Sequence, residues 1–103
     1  MNLEGHATVS SDVLGRYAAD AAREVAGVRG LVANQLHRHR GVRVGGGDAG
    51  GAILELHLDV EWGSPLPEVG RKVQQRVAEY LEQMAGARPA AVNVVVDSVG
   101  PAA

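Results

Sequence analysis

The amino-acid sequence predicts an α+β fold: a two-layer sandwich of order β-α-β-β-α-β, with two helices packed on one face of a mainly antiparallel sheet. Two observations support this. Residues 52–62 alternate between apolar and polar side chains, as in a strand with one dry face and one wet face. Residues 12–26 and 66–84 repeat apolar residues at helical spacing. We expect a single domain over residues 1–103, with an ordered core at about residues 6–99.

The first half of the chain is expected to begin with a strand and a helix. His6–Ser10 is β-prone and predicts the first strand. Ser11 then serves as the N-cap of a helix over Asp12–Ala26, and Gly27 ends that helix. Residues 31–36 fit a strand or a further helical turn equally well, so the sequence leaves their conformation undecided.

A β-hairpin is expected in the middle of the chain. Val42–Val44 has the composition of a strand, and residues 45–51 contain five glycines, which is typical of a turn. The alternating strand Ala52–Trp62 follows directly. The two strands therefore pair most simply as an antiparallel hairpin.

The last part of the chain supplies the second helix and the final strand. Ser64 is the expected N-cap, with Pro65 at the first helical position, where its missing N–H costs nothing. Gly86 is expected to end the helix. Val92, Val94 and Val96 then face the core as a last strand. Its opposite, polar face carries Asn93, Val95 and Asp97.

Composition excludes several classes of protein. The chain is 46% hydrophobic and 21% charged, as in ordinary globular proteins, and it contains no cysteine for disulfides, thiolate metal sites or nucleophilic catalysis. A net charge of −2 gives no overall attraction to nucleic acid or anionic lipid. Apolar runs fall far short of the ~20 residues that span a bilayer, and Met1–Ser10 does not resemble a signal peptide. We expect a cytoplasmic protein that reaches a membrane only through a partner.

The polar face of the alternating strand is the first candidate site. It carries Glu55, His57, Asp59 and Glu61, which could be drawn as an acid–base or metal cluster. The alternation already requires polar residues at these positions, and charges there discourage edge-to-edge aggregation. We therefore interpret them as a solvated face and assign no catalytic, cofactor-binding or metal-binding residue.

Two alternatives depend on the stretch between the first helix and the hairpin. His37 and His39, together with His57, could supply imidazoles to a zinc or nickel enzyme, although no cysteine and no H-x-x-x-H spacing accompanies them. A solvated loop is the simpler interpretation.

The second alternative is an RNA-binding module. Residues 27–30 have the G-x-x-G form that KH domains use to hold single-stranded RNA. It overlaps a basic segment that has no acidic residue between Val28 and Val44 and contains Arg29, Arg38, Arg40 and Arg43. Aromatic residues that could stack on bases are scarce, so a helix stop at Gly27 is the favoured reading.

Several segments, in this order along nearly the whole chain, resemble the bacterial alkaline shock protein family of cell-envelope stress proteins. They are Tyr17–Val28, Gly41–Val44, Val60–Gly63, Val73–Val77, Met84–Gly86 and Val92–Val96. The family usually has Tyr where this chain has Trp62, and the polar run 37–40 lies in a variable connection.

The resemblance implies a small cytoplasmic α+β module of envelope homeostasis with no catalytic residues and no cofactor. Some members are brought to the inner face of the membrane by a membrane-anchored partner, and some self-assemble. We expect a non-enzymatic module that contacts a protein partner or its own copies and does not bind DNA or insert into the membrane. The expected interaction surface comprises Arg38, Arg40, Arg43, Glu55, His57, Asp59 and Glu61. Attraction between its basic loop and its acidic strand could join copies head to tail.

Overall fold

Two helices and four strands make up the part of the chain that the computed structural model describes, residues 9–33, 41–46, 51–86 and 88–101. The elements follow one another in this order: α1 (Ser11–Arg23), β1 (Val28–Leu31), β2 (Val42–Gly46), β3 (Ala52–Glu61), α2 (Leu66–Ala85) and β4 (Ala91–Gly100).

β3 is the central strand of the sheet. One of its edges pairs in parallel with β4 from Ile53 to Glu61. The other edge pairs antiparallel with β2 along its first half and with β1 along its second half. The strands β1 and β2 lie end to end, because the N–H of Val32 donates to the His57 carbonyl at 2.8 Å and the His57 N–H donates to the Gly41 carbonyl at 2.9 Å.

The core lies between the sheet and the two helices. The even-numbered side chains of β3 from Leu54 to Val60 are completely buried. Helix α1 contributes four fully buried alanines, which let it approach the sheet closely, and α2 contributes a stripe of larger residues. This stripe consists of Val69, Val73, Val77 and Leu81. The predicted α+β class, with two helices on one face of the sheet, is confirmed.

Within the described residues the elements run α-β-β-β-α-β, because a strand follows α1 and the predicted first strand before α1 is not among the described elements. β1 begins before the stretch that the sequence left undecided, and the connection from β3 through α2 makes β4 parallel to β3. Residues 6–8 of the predicted first strand lie outside the described residues, and Val9 and Ser10 are not in a strand.

Helix boundaries differ from the expected ones by up to three residues. The N-cap of α1 is Ser10, whose Oγ accepts from the N–H of Val13 at 3.2 Å, so Ser11 is already helical. The helix ends at Arg23 because two tight turns follow before Gly27. At α2 the N-cap is Pro65, without a side-chain hydrogen bond. Gly86 closes α2 in the left-handed conformation, as expected.

Trp62 departs from the predicted dry face. The alternation of β3 assigns its side chain to the core, yet 68% of the residue is exposed. The reason is that β3 ends at Glu61 and Trp62 begins the turn that leads into α2. Neither helix in the described ranges is long and apolar enough to cross a bilayer.

We predict that Gly41→Ala lowers the free energy of unfolding by about 1–3 kcal/mol. Gly41 has a φ of +80°, and an added Cβ would lie 2.8 Å from the Val32 carbonyl oxygen and 2.9 Å from the Val32 nitrogen. These are backbone atoms of the neighbouring segment, so they cannot move aside as a flexible side chain would. Urea denaturation measures the loss.

The matched control is Gly45→Ala, in strand β2, which begins directly after Gly41. A Cβ at Gly45 meets nothing within 4 Å, so its stability should stay within about 0.5 kcal/mol of the original chain. Equal losses in the two variants would refute the steric explanation.

Candidate functional site

The candidate site is the face of the sheet that the helices leave uncovered, which we call the open face. It consists of the odd-numbered residues of β3, together with Arg43 of β2 and Asn93 and Val95 of β4, which the strand register places beside them. Asp97 of β4 also belongs to this face, through its contact with His57. Of the seven residues predicted for the interaction surface, five are described here: Arg43, Glu55, His57, Asp59 and Glu61. Arg38 and Arg40 lie outside the described residues, as do His37 and His39.

His57 is the centre of the open face. Its Nδ1 lies 2.8 Å from Oδ2 of Asp97, and its Nε2 lies 2.7 Å from Oε2 of Glu55. The residue is only 8% exposed, so the expectation of a solvated histidine is wrong. It sits on the central strand, where neighbouring strands and the two carboxylates shield its ring from both sides.

A bulge in β4 places Asp97 beside His57. Leu58 pairs with Val96 and Asp59 pairs with Ser98, so Asp97 is an extra residue of β4 at this point. A bulge bends its strand and redirects a side chain. Glu55 reaches the same ring more simply, because residues two apart on a strand share a face.

The two carboxylates determine the protonation of His57. An ionised carboxylate only accepts hydrogen bonds, and both ring nitrogens donate only when the ring is an imidazolium. Burial lowers the pKa of His57, but hydrogen bonds to Glu55 and Asp97 and the negative charges of both groups outweigh it. The net effect raises the pKa above the ordinary value of 6.5.

Asp59 forms a second paired group on the open face. Its Oδ1 accepts from Ser98 Oγ at 2.7 Å, and its Oδ2 lies 3.5 Å from Nη1 of Arg29. Arg43 lies directly across from Glu55 in the strand register. Arg29 therefore pairs with an acidic side chain within one copy of the chain, and Arg43 occupies the register position beside Glu55. Arg43 is the described member of the basic loop, and its position beside Glu55 places a basic and an acidic residue next to each other in one copy rather than on separate surfaces.

The arrangement favours structural pairing over chemistry. A general base or a metal ligand needs a nitrogen lone pair that faces substrate or metal, and both nitrogens of His57 point at carboxylates instead. Within the described ranges, no group of three His, Asp or Glu side chains is arranged to hold a metal ion. The open face has a shallow depression of about 200 Å³ between Arg43, Glu55 and Asn93.

A larger cleft, of about 400 Å³, lies at the turn from β3 into α2, where Trp62, Ser64, Glu68 and Lys72 line it. The His57 ring is not part of its lining. The larger cleft is therefore separate from the group formed by Glu55, His57 and Asp97.

The G-x-x-G segment does not form the RNA-binding loop of the KH alternative. Val28–Leu31 is strand β1, in which Gly30 pairs with Asp59 of β3. Gly27 has a φ of +95°, and a Cβ there would lie 3.0 Å from Ser64 Oγ and 3.1 Å from Val69 Cγ2. Gly27 is thus required for a close approach between the end of α1 and the start of α2.

Sequence reasoning missed three partners: Arg29, Asp97 and Ser98. Asp97 was expected on the polar face of the last strand, which is correct, but its neighbour on β3 depends on the strand register and the bulge. No local signal in the sequence specifies either.

We predict that the stability of the protein falls as pH rises through the raised pKa of His57. A histidine with a higher pKa in the folded chain contributes its full stabilisation below about pH 6.5, and the contribution disappears above the folded-state pKa. Urea denaturation between pH 6 and pH 9 should show this decline, and NMR titration of the ring should give a pKa above 6.5.

The matched control is His57→Gln, which keeps a polar side chain of similar size and cannot titrate. Its stability should be lower than that of the original chain at pH 6 and nearly flat up to pH 9, so the two curves converge. Parallel curves would show that His57 is not the titrating group.

Comparison with solved structures identifies relatives of the fold. The MamM CTD, residues 215–293 of its own protein, aligns with a TM-score of 0.62 and 16% identity, covering 86% of this chain and 99% of that chain. A cadmium form of a singly substituted MamM CTD aligns with a TM-score of 0.62 and 17% identity, covering 86% of this chain and 98% of that chain. At these identities the likeness concerns the fold.

Comparison of sequences identifies the family. None of the curated proteins matches the chain significantly. A family profile, that of alkaline shock protein 23, does match, over residues 1–101, and it carries the description of a cell envelope-related function. The resemblance stated from the sequence motifs is thereby confirmed, and the chain belongs to the alkaline shock protein 23 family, whose function is related to the cell envelope.

Proposed function

We propose that this protein is a non-enzymatic interaction module of the cell envelope. It acts in the cytoplasm by presenting protein-binding surfaces, a membrane-anchored partner holds it at the inner face of the membrane, and copies of the chain associate with one another. The observation that supports this most is the pairing of His57 with Glu55 and Asp97, which engages the residues that acid–base chemistry would need.

The open face has the composition of a docking surface. Ile53 is 41% exposed and Val95 is 38% exposed, and both lie in the same layer as the paired charges. Protein interfaces commonly combine an apolar centre with a polar rim. The fixed charges also limit which partners fit, because a partner must match them without leaving a charge unpaired.

The paired charges make this face well suited to binding. Side chains that are already hydrogen-bonded lose little conformational freedom when a partner covers them. The ion pairs of the open face therefore act as a preorganised surface, on which Ile53 and Val95 are the apolar contacts.

We predict that Ile53→Gln/Val95→Gln reduces the envelope-bound fraction of the protein by about tenfold, which corresponds to ~1.4 kcal/mol of binding free energy. The two substitutions remove exposed apolar surface and leave the paired charges intact. Sedimentation of membranes from host cells that express the tagged protein, followed by quantitative blotting, measures the fraction.

Met84→Gln is the matched control. Met84 is 50% exposed and lies near the end of α2, in the helical layer. This variant should sediment like the original chain, and circular dichroism should show that all variants are folded. If the double variant sediments like Met84→Gln, the open face does not bind the partner.

A further inference from the structure

We propose that two copies of this chain pair edge to edge through β4, antiparallel about a twofold axis at Val94, so that their two sheets become one. The inference rests on the self-association included in the proposed function, and it names the surface responsible.

One edge of β4 is free of strand partners within the described residues, where β4 pairs with β3 alone. The carbonyl of Val92 points to this edge, because it accepts from Nε2 of Gln74, on α2, at 3.0 Å. Backbone groups of successive residues in a strand point to opposite edges. The N–H and C=O groups of Val94 and Val96 therefore face the same free edge as the carbonyl of Val92.

The first half of this edge has few of the features that keep exposed strands from pairing. Such features include proline, lysine, an inward charge and a bulge. Residues 91–96 contain no proline and no charged residue, and four of the six are valine. The charge and the bulge both come afterwards, at Asp97. Another strand can therefore pair with residues 91–96, the part of β4 that precedes the bulge.

Residues 91–96 of a second copy can pair with residues 91–96 of the first, because their backbone donors and acceptors lie opposite each other. With the axis at Val94, Val92 lies opposite Val96 of the second copy, and Val94 lies opposite its own equivalent. Three pairs then have their N–H and C=O groups facing each other: Val92 with Val96, Val94 with Val94, and Val96 with Val92. Each pair exchanges two hydrogen bonds, so about six form across the interface. The same register places Asp97 opposite Ala91, whereas a parallel pairing in register would bring two Asp97 carboxylates together.

Helix α2 leaves room for this pairing. A twofold axis beside β4 brings the two copies of α2 next to each other in the helical layer. The flank of α2 on that side carries Gly70, Gln74 and Ala78 at intervals of one turn. A Cβ added at Gly70 would meet nothing within 4 Å, so the space beside these small side chains is unoccupied by the chain itself. Small residues allow two helices to approach closely.

Gln74 acts as a cap on the edge of the single copy. Its side chain satisfies the Val92 carbonyl that the second copy would otherwise bind, so dimer formation must displace it. We therefore expect Gln74→Ala to tighten the dimer and lower its dissociation constant.

The first test is sedimentation equilibrium of the full chain over micromolar to millimolar concentrations. The original chain should dimerise, and Val94→Pro should weaken the dimer at least tenfold. Proline is tolerated on an edge strand where the lost N–H faces outward, so the β3–β4 ladder is retained. Circular dichroism and thermal unfolding check that Val94→Pro is folded.

The second test needs no proline. The chain has no cysteine, so any disulfide formed by a single-cysteine variant must join the introduced thiols of two copies. Val94→Cys places two thiols at the axis, whereas in Val99→Cys they would be ten residues, or about 33 Å, apart along the joined strands. Although Val99 is 42% exposed and Val94 is only partly exposed, Val94→Cys should form disulfide-linked dimers faster under mild oxidation.

The outcomes separate this inference from the proposed function. A dimer that survives Val94→Pro, with faster cross-linking of Val99→Cys, would overturn pairing through β4 and leave self-association intact through another surface. A chain that stays monomeric at millimolar concentration would contradict both. Loss of envelope binding in the open-face variant would still support the remaining part of the proposed function.

Discussion

The structure depends on a constraint that acts on one strand, β3, which is hydrogen-bonded along both edges and packed against the helices on one face only. Its even-numbered side chains form the centre of the core, and its odd-numbered side chains form the centre of the open face. Because successive side chains of a strand point to opposite faces, the register that buries Leu56 also places Glu55 and His57 in the charged layer. A slip of one residue would place leucines in that layer and charges in the core. The hydrophobic core therefore fixes the geometry of the candidate site.

The sequence predicted what local periodicity encodes. The two-residue alternation of β3 and the helical stripe of α2 are signals within one segment, and both were confirmed. The misplaced features depend on neighbours. Trp62 continues the alternation but lies past the end of the strand, where no core exists to bury it. β1 is only four residues long and includes a glycine, so its strand structure comes from pairing with β3 rather than from its own composition.

The candidate site was predictable in composition but not in its contacts. Glu55, His57 and Asp59 were assigned to one face, and the structure places them there. The burial of His57 was not foreseen, because it requires Asp97, forty residues away, to arrive through a parallel register and a bulge. The same contact joins β4 to β3 through side chains as well as through the backbone. Removing one member of such a group leaves a half-buried charge without its counter-charge, so the group acts as a unit.

The segment between β1 and β2 is held to the central strand at both of its ends, which bears on how insertions there would affect the sheet. Val32 and Gly41 both bond to the backbone of His57, so a single residue of the central strand closes both ends of the intervening stretch. The entropy lost on holding two points of a chain together grows only with the logarithm of the number of residues between them, about 0.6 kcal/mol for each doubling. Residues inserted between Val32 and Gly41 would therefore cost little in closure entropy, because both ends stay bonded to His57 and the sheet keeps its register.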